Sequence, residues 1–116
     1  MKISAITRRD ISDSLAAEST PWWGRLEEPE FLSRIFDLSA LPSTDSRFKD
    51  ASGDIWQHRV DNPEDWPDDW LFSDARFNLA QGDNETFLRF LCETVHPVVR
   101  SDATASQRLV QMFNLS

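Results

Sequence analysis

The sequence predicts a mainly α-helical fold: four to five short helices around an aromatic core, with two long polar loops on one side. Three observations carry this expectation. Apolar residues recur at helical spacing in several segments that have recognisable starts and stops. Five Trp and eight Phe supply large apolar blocks, and 40% of the chain is hydrophobic; side chains of that size dominate a small core. Only three glycines and six prolines are present, too few tight-turn residues for a β-sandwich. The 116 residues suit one domain, read as 1–116.

The first helix is expected in TRRDISDSLAAES, with Thr7 and Asp10 as a capping-box pair and Ile11 and Leu15 on one face. Pro21 ends it, and Trp22-Trp23-Gly24 makes an aromatic turn. The second helix is expected across EEPEFLSRIFDLSAL, with acids and a proline at its start and Pro42 as its stop. Residues 42–54 lack apolar periodicity, with Phe48 as their one anchor. Gly53-Asp54 then leads into a helical segment that turns Ile55, Trp56 and Val60 inward. Residues 61–75 hold six acids and no base; turns are expected there, with a minor β-element at Leu71-Phe72. Trp56, Trp66 and Trp70 are read as inward, because exposed tryptophans are a large apolar liability.

Two further helices fill the last third. NETFLRFLCETVHPVV follows Asp83 as N-cap and carries Phe87, Leu88, Leu91, Cys92 and Val95 inward, widened by Phe90. TASQRLVQMFNLS is capped by Ser101 or Asp102 and presents Leu109, Val110, Met112 and Phe113. Its apolar stripe is unfinished at Asn114-Leu115-Ser116, and the expectation is a domain truncated at its C-terminus.

A net charge of −8 disfavours direct nucleic-acid binding, because the chain and a phosphate backbone repel. It suits a basic protein partner, a nucleic-acid mimic, or plain solubility. Cys92 is the lone cysteine, so no internal disulfide forms. With no long apolar run, no membrane span or secretory signal is expected, and the chain reads as cytoplasmic.

Several constellations invite chemistry. Asp45, Asp50, Asp54 and His58 could hold a divalent cation for a metal-dependent hydrolase or nuclease. Their spacing fits no established metal motif, and loop aspartates more often cap helices. No catalytic residue, metal or cofactor is therefore assigned. Ten of the twelve basic residues are Arg, whose planar fork pairs carboxylates or anionic ligands. Arg47, Arg59, Arg76 and Arg100 lie beside acid-rich loops, so they either knit those loops together or line a pocket for an anionic small ligand. His96 stands at a helix end, where a structural role is the plainer reading. The acids of 61–74 could also form an acidic decoy surface that mimics nucleic acid.

The strings FLSRIFDLSALPSTDSRFKDASGDIWQHR, DNPEDWPDDWLFSDARFNL and ETFLRFLCETVHPVVR together resemble the AbiJ N-terminal domain of bacterial abortive-infection proteins. The likeness runs from residue 5 to about 113. It implies a non-catalytic sensor, regulatory or interaction domain that precedes a toxic effector, such as a HEPN ribonuclease. It implies no catalytic residues. Relatives of this pattern continue past the last helix into an Asp-Gly-rich turn, whereas this sequence stops at Asn114-Leu115-Ser116. On this reading a partner-binding or ligand-binding surface is expected at Asp45, Arg47, Asp54, His58 and Arg59, with Arg76, His96 and Arg100 as neighbours.

Overall fold

The computed structural model describes residues 3–113. The expected end at Asn114-Leu115-Ser116 lies outside the described residues. Six α-helices appear among those residues, and no strand. None of these helices is long and apolar enough to cross a membrane.

Helix α1 spans Ala5–Ala16 and starts a turn earlier than expected: Ser4, not Thr7, is the N-cap, its Oγ accepting the Thr7 amide at 3.1 Å. Ile11 and Leu15 face inward as expected, joined by Arg8 and Ser12. The aromatic turn that follows needs Gly24. Its φ is +61°, and a Cβ there would meet the Val99 carbonyl oxygen at 2.0 Å. The absence of a side chain lets the next amide, of Arg25, donate to that same carbonyl at 2.9 Å.

Helix α2 spans only Glu28–Leu32, and the expected long second helix breaks into turns and a 3-10 turn at Leu38–Ala40. Asp37 is the cause. Its backbone is extended and its carboxylate takes the Ser39 amide, offering the chain a local alternative to a continuing helix. Helix α3, Ala51–Ile55, is capped by Asp50, which accepts the Ser52 and Gly53 amides. It runs directly into a π-helical turn at Trp56–Asp61. There Ile55 is buried and Val60 half-buried, but Trp56 is exposed, contrary to expectation.

Leu71-Phe72 form no β-element. They sit in α4, a single turn at Trp70–Ser73. A short extended pair gains nothing without a neighbouring strand, whereas the helical turn buries both Trp70 and Leu71.

Helix α5, Asn84–Thr94, buries Phe87, Phe90, Leu91 and Thr94. Leu88 and Cys92 point outward instead of into the core. The helix has rotated toward Phe90, whose ring meets Trp22, Phe31 and Phe72 at centroid distances of 5.8, 5.7 and 5.6 Å. Burying that aromatic gains more area than burying Cys92. Helix α6, Ala103–Met112, is capped by Asp102 and buries Ala105 and Leu109, while Val110 stays exposed. A second aromatic row, Trp66–Trp70–Phe77–Phe36, carries the core toward the polar side.

Candidate functional site

The loop at 42–50 has no helix or strand of its own to hold it, and its order comes from charged side chains behind it. Asp54 lies in the first turn of α3, fully buried. It accepts the amide and hydroxyl of Thr44 at 2.9 and 2.6 Å. Arg76 pairs with the same carboxylate at 3.1 Å, with Asp74 at 2.8 Å, and donates to the Pro42 carbonyl at 2.9 Å. A buried carboxylate therefore has both a countercharge and hydrogen bonds. Those carboxylates, chiefly Asp74, raise the affinity of Arg76 for its proton against the opposing cost of burial.

His58, in the π-helical turn, is the second fastening. Its Nδ1 meets Asp65 at 2.9 Å and its Nε2 meets Asp45 at 3.0 Å. Its ring stacks on Trp66 at 5.0 Å. With a carboxylate at each ring nitrogen, both nitrogens act as donors in the imidazolium. The Asp65 hydrogen bond, with help from Asp45, lifts the His58 pKa above its usual 6.5. Asp45 also grips Arg47 through guanidinium and backbone N–H, and these bonds, with that from His58, hold its carboxyl well below the usual range. Ser46, Arg47 and Lys49 point outward from the loop so held.

Arg59 is adjacent in sequence but faces the interior. Its side chain is 2% exposed and meets Glu28 and Asp68, both at 2.7 Å. It also donates to the carbonyls of Pro63 and Trp66 at 2.7 and 2.6 Å. Burial pushes the Glu28 carboxyl above its usual pKa, although the Trp70 indole and Arg59 both pull it down. Arg100 and His96 belong to another neighbourhood. Arg100 is buried and ties the Thr94, Thr20 and Pro21 carbonyls together. Burial lowers its pKa. His96 Nδ1 accepts the Val98 amide at 3.1 Å, a contact within its own turn.

The structure thus brings Asp45, Arg47, Asp54, His58 and Arg76 together through one loop, turns Arg59 inward beside them, and leaves His96 and Arg100 with the aromatic turn. Their partners Glu28, Thr44, Asp65, Asp68 and Asp74 stood outside the expected site, although the acid run of 61–75 and the expectation that arginines knit the loops together pointed to the last three. Among the described residues, no group of three or more His, Cys, Asp or Glu side chains is arranged to hold a metal ion. The reason is visible in the bonds: Asp50 caps α3, Asp54 is taken by Thr44 and Arg76, and the His58 carboxylates lie at opposite ring nitrogens.

Short helices around an aromatic core, with arginine-fastened loops on one side, define an all-helical domain. Residues 2–116 match the family model for AbiJ N-terminal domain 3, and the chain belongs to that family. Membership associates it with abortive infection, a form of antiviral defence. No curated protein and no solved structure shows a match to the chain.

Proposed function

We propose that this domain is a non-catalytic sensor or docking module of an antiphage abortive-infection system, coupled to a toxic effector, and that the 42–50 loop is its recognition surface. The observation that supports the reading is the division of labour around that loop. Asp54, His58 and Arg76 are engaged in fastening it, while Ser46 and Lys49 project outward and Arg47, paired with Asp45, stays exposed beside them. Pre-ordering a loop lowers the entropy cost of binding. Its exposed bases suit an acidic protein segment or an anionic small ligand.

The test is a plaque assay on host cells carrying the native gene, intact or with Arg47→Ala and Lys49→Ala together. Defence should be lost while the purified variant melts like the wild type. Full protection by the double variant would remove the loop from consideration.

A further inference from the structure

We propose that the cleft between the end of α1 and the 68–72 turn binds a small organic cation of the alkylammonium or alkylguanidinium class. The cleft is separate from the 42–50 loop, and the inference does not rest on the role given to that loop. Its volume is about 360 Å³, within the range of small-ligand sites. Trp22, Trp23 and Phe72 share its walls with the carboxylates of Glu18, Asp68 and Asp69, and no Lys or Arg lines it. An anion would be repelled there. A neutral apolar ligand would strip water from the carboxylates and replace it with nothing. A cation on an apolar stem satisfies both kinds of wall.

The carboxylates retain capacity to bind. Asp68 gives Oδ1 to Arg59, and Glu18 gives Oε1 to Arg108. Among the described residues, the second oxygen of each, and both oxygens of Asp69, carry no hydrogen bond. The aromatic walls are rigid. The two indoles meet edge to face at 5.0 Å and 85°. The Trp22 indole N–H donates to the Asp68 carbonyl at 3.0 Å, locking the aromatic and acidic sides together.

Ser12 adds a neutral acceptor to the wall of the cleft. It lines the cleft and is only 7% exposed. Its hydroxyl makes no hydrogen bond to the described residues and opens to solvent through the cleft. An ammonium or guanidinium N–H of a bound cation would donate to its oxygen.

Calorimetric titration of the whole chain with agmatine, 1,4-diaminobutane and neutral 1,5-pentanediol tests this, with tryptophan fluorescence as a second readout. One saturable site for either cation is expected, with a fluorescence change and no heat from the diol. Asp69→Asn should weaken the cation by about tenfold. Asp61→Asn, an exposed acid outside the cleft, should change it by about twofold or less. Ser12→Ala should weaken it severalfold. No saturable binding of either cation overturns the proposal. Equal weakening by the two Asp variants also overturns it, since the net charge alone then holds the cation. So does a diol that binds as tightly as the diamine.

Discussion

The aromatic centre and the 42–76 polar side are both ordered, but by different forces. Around Phe90 the contacts are ring against ring, with Trp22, Phe31 and Phe72 and no charge among them. Around Asp54, His58 and Arg59 almost every contact is a charge-assisted hydrogen bond. Burial of apolar area is non-directional and tolerates small shifts in geometry. Charge-assisted bonds demand set distances and leave an expensive orphan when one partner is lost. The polar side can therefore be shaped finely and altered by pH, while the centre keeps the chain folded.

Phe90→Ala should separate the two regions most sharply. Loss of a fully buried ring at the junction of three others should cost about 3–5 kcal/mol. Urea unfolding at low and high salt should show the same loss at both, because the contact carries no charge.

Arg59→Ala is next, at about 3 kcal/mol. It strands Glu28, which keeps only the Trp70 indole N–H at 2.8 Å. Pairing it with Glu28→Gln should restore part of the loss, and a double-mutant cycle measures how much. Equal effects of Arg59→Ala with and without Glu28→Gln would mean that the two side chains do not act as a unit.

Asp50→Ala should cost about 1 kcal/mol, the usual value of an N-cap. Because α3 carries Asp54 and leads into the turn with His58, amide hydrogen exchange should rise at Thr44 and across α3 more than in α5.

The smallest effect is a pH dependence confined to the polar side. The folded pKa of His58 lies above 6.5, so its stabilising contribution is complete below that value and is lost as pH rises through the folded pKa. Asp45 has the opposite sense. Its folded pKa lies below the ordinary 3.8, so its contribution is present above 3.8 and lost as pH falls through the folded pKa. The loop is held most firmly between those two ordinary values. Denaturation midpoints measured upward from pH 6 should fall for the wild type and fall less for His58→Gln.

Much of the helical frame is legible from local pattern. The Asp102 cap, the Ile11 and Leu15 face and the start of α2 at its acids and proline all depend on neighbours within a turn or so. Ser4 was passed over for Thr7 because both residues can cap and they sit three apart. The outward turn of Trp56 was missed for a different reason: consecutive helical residues point in different directions, and with Ile55 fully buried its neighbour Trp56 falls toward solvent. In the candidate site, the residue types and the two loops were visible, but not who holds whom. The Arg59–Glu28 and Arg76–Asp54 pairs span 31 and 22 residues of sequence, and several carboxylates could have served either base.

By itself the sequence determined the helical class, the aromatic composition of the core, the surplus of acids and the presence of arginines able to neutralise some of them. Each follows from composition or from contacts made within a few residues. The tertiary structure decided which of two overlapping stripes of α5 faces inward, which arginines are buried, and that Trp22 and Trp23 meet Asp68 and Asp69 across a cleft from Ser12. Helical periodicity specifies that an apolar face exists. Only the shape of the remaining core, built from distant residues, selects the face that fits.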